Sequence, residues 1–132
     1  MTPLLYILMR NDMDSMNPGK AMAQASHASN QFVATMEGEA YLLPKDAHDI
    51  YNEWLQCDGF GTVLVLEVTE AQMRTSVAVA DALDLVSGIV HDPTYPLRDG
   101  DSTHFIPVDT CAFVFGNKED CTPVVGNFEL HH

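Results

Sequence analysis

The chain has 132 residues, 46% of them apolar and 19% charged, which is the length of one domain and excludes a disordered polypeptide. Nineteen Asp and Glu against six Lys and Arg leave a formal charge of −13, so the average field repels phosphate backbones. The longest apolar runs, such as residues 62–66, fall far short of the roughly 20 residues that cross a bilayer, and residues 1–10 lack a basic region followed by a cleavage signal, so a soluble cytoplasmic protein is expected.

Residues 3–9 form a short apolar run bounded by polar residues, which predicts a strand buried on both faces. After a polar loop, Asn17 supplies an N-cap and Pro18 the first position of a helix that runs without a breaker to about Met36. Ala21, Ala25, Ala28 and Phe32 make its buried stripe, and Lys20, Gln24, His27 and Gln31 make a polar row beside it. Residues 37–45 read as a loop, and Asp46 as the cap of a second helix to about Cys57. A strand over 62–68 follows, then a capping box of Thr69 and Gln72. That box opens a helix to about Val86, with Met73, Val77, Ala80 and Leu83 or Asp84 inward and Ser87-Gly88 as its stop. Residues 89–91 begin a strand that Asp92-Pro93 should end. Residues 94–109, rich in Pro, Asp and Gly, read as irregular, 110–115 as the last strand, and a helical turn is expected around Pro123. The order predicts a single α/β domain over residues 1–132, a small mixed sheet of about four strands packed between helices.

In such sheets, sites gather at the carboxyl ends of strands and the amino ends of the helices that follow. Lys20 places a cation where the helix dipole is already positive, which is explained either by an ion pair with Asp12 or Asp14 or by a site for an anion, with Gly19 permitting close approach. Asp92 is a turn former or a general base, and His27 a structural histidine or part of the same site. Cys57, Cys111 and Cys121 are odd in number with no C-x-x-C, so reduced thiols are expected rather than a disulfide framework or zinc site. His91, His104, Asp92 and Asp109 match no recognised ligand spacing; no metal and no cofactor is expected, and phosphate-loop, dinucleotide and serine-nucleophile motifs are missing.

The run I-L-M-R-N-D-M-D-S-M-N-P-G-K-A-M-A-Q-A-S-H-A resembles the opening of the type 2 peptidyl-tRNA hydrolases, with Arg10, Asp12, Gly19, Lys20, Ala23, Gln24, His27 and Ala28 in register. Pro18 stands where that family has a further lysine. Asp92 fits the family's strand-end aspartate, Thr103-His104-Phe105-Ile106-Pro107 its T-Q-x-x-P element and Thr110 its last threonine, but Asp92 and Thr103 are eleven positions apart where the family has about four. The resemblance implies metal-free hydrolysis of the ester joining peptide to tRNA by a homodimeric enzyme. It implies Lys20, Asp92, Thr103 and Thr110 as catalytic, with Arg10, Asp12, Gly19, Gln24, His27 and His104 binding substrate. The acidity and the enlarged loop keep two alternatives open: a binding module of the same fold, and a hydrolase of a smaller acyl substrate.

Overall fold

A computed structural model of the protein describes residues 2–38, 40–56 and 60–132. In chain order these form β1 (Pro3–Arg10), α1 (Pro18–Met36), a 3-10 turn (Ala40–Leu42), α2 (Ala47–Gln56), β2 (Val63–Val68), α3 (Glu70–Ala82), β3 (Val86–Asp99), β4 (Ser102–Asn117) and α4 (Lys118–Val125). The strands make one mixed sheet in the order β2-β1-β4-β3. β1 runs parallel to β2 and antiparallel to β4, and β3 and β4 form a hairpin.

β1 lies in the middle of the sheet and is buried on both sides, as an uninterrupted apolar run requires. Alternation divides it. Leu5, Ile7 and Met9 enter a core with Ala28 and Phe32 of α1 and Tyr51 and Trp54 of α2. Leu4, Tyr6 and Leu8 enter a second core with Met73 and Ala80 of α3 and Cys121 and Val124 of α4. The first core centres on Phe32, whose ring meets Tyr51, Trp54, Phe113 and Phe115 at centroid separations of 4.6 to 5.7 Å. Burying one such side chain stabilises the fold by about 1.5–3 kcal/mol.

α1 begins as its sequence dictates: the Asn17 side chain accepts the Lys20 amide at 2.9 Å, and Pro18 occupies the first turn. The capping box of α3 is complete, with the Thr69 hydroxyl receiving the Gln72 amide and the Gln72 side chain receiving the Thr69 amide. Four expectations need correction. α3 stops at Ala82 because Asp84 takes a left-handed φ of 58°, so Ser87 and Gly88 belong to β3 and Leu83 is half exposed. Its inner face is Met73, Ser76 and Ala80 with Val77 partly buried against the same core, so Ser76 takes the inward place expected of Leu83 or Asp84. Asp46, with φ 67°, precedes α2 and receives the Ile50 amide through its backbone carbonyl, while Cys57 lies outside the described residues. The largest difference is the segment read as irregular: β3 continues through Asp92-Pro93 to Asp99 and pairs with β4 as far as Ser102.

That pairing survives three prolines because of where they fall. β3 is the sheet's edge strand, so Pro93 and Pro96 remove no bond from a strand on its far side. Pro107 sits where the ladder is already interrupted. At the other edge, residues 129–131 lie along β2, with amide-to-carbonyl bonds from Glu67 to Glu129 and from His131 to Val65.

Candidate active site

Two irregularities in the β3–β4 ladder aim the side chains of the site. Val90 faces Cys111 but His91 faces Asp109, so Thr110 is an extra residue in β4. Thr110 and Cys111, chain neighbours that would ordinarily point to opposite sides, therefore both turn to α1. Farther out, Asp92 faces Val108 and Tyr95 faces Ile106, so Pro93 and Thr94 stand against Pro107 alone. The added residue brings Asp92 and Tyr95, three positions apart, to the same side.

Gln24 is what they meet. It projects from the second turn of α1, is 3% exposed, and is held at both ends of its amide. Its Oε1 accepts from Thr110 Oγ1 at 2.7 Å, and its Nε2 donates to Asp92 Oδ2 at 2.7 Å. The other oxygen of Asp92 accepts from the Thr94 amide at 2.8 Å and from Thr94 Oγ1 at 3.4 Å. Burial pushes the Asp92 carboxyl up, but the bonds from Thr94 and Gln24, with the nearby His27, outweigh it and hold the group below the ordinary carboxylate range. Asp92 is thus a carboxylate at neutral pH. It lies in a cleft of about 370 Å³ lined by His27, Gln31, His91 and Thr94.

One turn toward the start of α1, Lys20 Nζ donates to the Pro96 carbonyl at 2.7 Å and stands 5.0 Å from the centroid of the Tyr95 ring. Among the described residues no carboxylate pairs with it, and the first turn of α1 has no acidic residue. The carbonyl and the ring face supply partial negative charge against the helix dipole instead. Farther along, Gln31 Nε2 donates to the Ile89 carbonyl at 3.0 Å. The polar row of α1 is thus fastened along β3 at Pro96, Asp92 and Ile89.

On the opposite face of the sheet a separate charged network fastens α3. Arg10 bonds Asp12 at 2.8 Å, reaches Glu70 at 3.4 Å and donates to the Asp109 carbonyl at 3.1 Å. Asp12 Oδ2 accepts the Glu70 amide at 2.9 Å, so it adds an anion to the start of α3. Asp109 bonds Arg74 and His91, each at 2.7 Å, and these two partners hold its carboxyl below the ordinary range.

The sequence model of the family described as Peptidyl-tRNA hydrolase PTH2 matches residues 4–131 of this chain. The chain belongs to that family. The comparison with individual curated proteins gives no match. Of the residues that the resemblance singles out, the hydrolase fold brings Lys20, Gln24, His27, Asp92 and Thr110 to one face, with Gly19 exposed beside Lys20. It sets Arg10 and Asp12 on the other face, bound to α3. Thr103 and His104 are exposed near the tip of the hairpin, opposite Arg98 and Leu97. Thr103 and Thr110 are seven positions apart along β4, about 23 Å of extended chain.

Sequence reasoning missed Thr94 and Tyr95. The first had a readable signal, since an Asp two residues before a Thr can accept that residue's amide in a local turn, as Asp92 does. Tyr95 had none, because its place beside Lys20 depends on the extra residue in β3. Asp92 thus forms the turn and also faces the cleft. No helix among the described residues is long and apolar enough to cross a membrane.

Proposed function

We propose that the protein hydrolyses the ester bond between peptide and tRNA without a metal, using the Lys20, Gln24, Asp92 and Thr110 face of α1 and the hairpin. The observation that carries this reading is the double engagement of Gln24, which ties a strand-end carboxylate and a strand hydroxyl to the helix that presents Lys20. Asp92, ionised and open to the cleft, orients and deprotonates water. The Lys20 ammonium stabilises the negative oxygen that develops on the attacked carbonyl. Gln24 and Thr110 fix the carboxylate, and His27 and Gly19 line the approach. Thr103 and His104 are assigned to the outer surface of the hairpin rather than to the reacting set.

The test is release of peptide from peptidyl-tRNA at low salt, in chelator. Wild-type activity that falls at least about a hundredfold in Asp92→Asn and Lys20→Ala supports the reading. Full activity in either variant rejects it.

The charge distribution favours a second reading, a hydrolase of a smaller acyl ester or a binding module of the same fold. Arg10 and Arg74 are committed to carboxylates, which leaves Lys20 and Arg98 as the cations of this side and its arm. Two phosphate contacts give tRNA binding a log–log salt slope of only about −1.4 to −1.8. Cleavage of simple acyl esters with no measurable tRNA binding selects the smaller-ester hydrolase, and no cleavage of either substrate selects the binding module. For the homodimer that the resemblance implies, light scattering should give twice the 14.5 kDa chain mass.

A further inference from the structure

The hairpin beyond residue 92 is longer than the family pattern, and it meets the proposed site twice, through Thr94 on Asp92 and through Tyr95 and Pro96 on Lys20. Tyr95 is 0% exposed although it lies on an edge strand. Its hydroxyl shares a 3.0 Å hydrogen bond with Ser15 and lies 3.9 Å from the Met16 sulfur, in the loop that leads into α1. The ring face meets the Lys20 ammonium, and the next residue, Pro96, gives its carbonyl to the same nitrogen. A lysine side chain has four rotatable carbons and three donors, so a free one samples many positions. Here one N–H is directed to Pro96 and the ring contact is non-directional, which leaves two N–H groups for a substrate.

We propose that Tyr95 is a positioning residue for Lys20: the lengthened hairpin supplies a ring and a carbonyl that hold the ammonium in the orientation the reaction uses. The inference rests on the hydrolase reading for its kinetic consequence, but the contact itself can be measured without turnover. Positioning and occlusion have opposite signs. A hairpin that merely covered Lys20 would slow the enzyme, and loosening it would raise the rate. A hairpin that aims Lys20 accelerates the reaction, because a catalytic group misplaced by about 1 Å costs up to about a hundredfold.

The experiment combines kinetics with NMR of the full chain. In wild type the Lys20 Cε protons should be shifted upfield by the Tyr95 ring current. Tyr95→Leu should abolish that shift and lower kcat about tenfold with less than a twofold change in KM, and the conservative Tyr95→Phe should recover both. In the Lys20→Ala background, Tyr95→Leu should cost nothing further, since it acts through the lysine. A Tyr95→Leu enzyme as fast as wild type or faster, or one whose loss adds fully to that of Lys20→Ala, overturns the proposal. So does an unshifted Lys20 signal in wild type, a result that stands even where Tyr95→Leu does not fold. Lack of wild-type turnover alongside a shifted Lys20 signal removes the hydrolase reading, and with it the kinetic role of Tyr95.

Discussion

Replacing Gln24 by Glu keeps the side chain's size and changes one donor into an acid, so it tests the clamp without opening a cavity. The oxygen facing Thr110 can still accept at 2.7 Å, but the atom facing Asp92 Oδ2 at 2.7 Å must then carry a proton or place two carboxylates in contact. Like charges so close, 3% exposed on the Gln24 side, raise the pair's proton affinity by about 2 pKa units or more. At about 1.36 kcal/mol per unit, the variant loses about 3 kcal/mol of stability between acid and neutral pH. The sign is fixed by linkage: a folded-state pKa above the unfolded value of about 4.3 gives stability that is whole below that value and is lost as pH rises through the folded pKa. Wild type is level across that range, because Asp92 is held below the ordinary range and its contribution is lost only on acidification below about 3.8. Urea midpoints at about pH 4.5 and pH 7.5 separate the two cases. Parallel pH dependence in Gln24→Glu and wild type would refute the clamp.

Asp12, Asp92 and Asp109 all sit below the ordinary carboxylate value of 3.8, so unfolding free energy should be level from neutral pH down to that value and fall below it, as an acid titration by circular dichroism would show. Burial pushes the Cys111 and Cys121 thiols up to about 12, so neither should react with a thiol reagent in the folded protein at neutral pH, and both should react in denaturant. Gly61 has φ +74°, and a Cβ there would lie 2.6 Å from the Trp54 ring, so Gly61→Ala should cost about 2–4 kcal/mol in denaturant unfolding and shift the emission of this single tryptophan.

The parts of the fold legible in the sequence were those governed by local rules. The Asn17-Pro18 start, the Thr69-Gln72 box, the alanine stripe of α1 and the apolar run of β1 each declare an element through side chains only a few residues apart. The hairpin was not legible, because Pro93, Pro96 and Pro107 ordinarily exclude a strand and are admitted here only by an edge position and an interrupted ladder, both set by distant pairing. Gly88 likewise reads as a helix stop, yet it lies within β3, where a Cβ would come within 2.8 Å of the Phe113 ring. The site was half readable. Lys20, Gln24 and His27 share a helical row, and Asp92 and Thr110 follow from the family pattern. Arg10 and Asp12 precede that row in sequence but lie across the sheet, since Arg10, an even position of β1, alternates to the α3 side.

The two added residues in the β3–β4 ladder are the places where this hairpin can lose a residue without losing its register. Losing Thr110 would close the β4 irregularity into plain alternation, with Asp92 still toward α1 and Asp109 still toward α3, and would remove only the hydroxyl that holds Gln24. Losing Thr94 would likewise leave Asp92 and Tyr95 two positions apart on the same side, and would remove the Thr94 hydroxyl from Asp92. A one-residue deletion at either irregularity is therefore a local loss that keeps the direction of every other side chain. A deletion at a regular position of the ladder would instead invert every side chain beyond it.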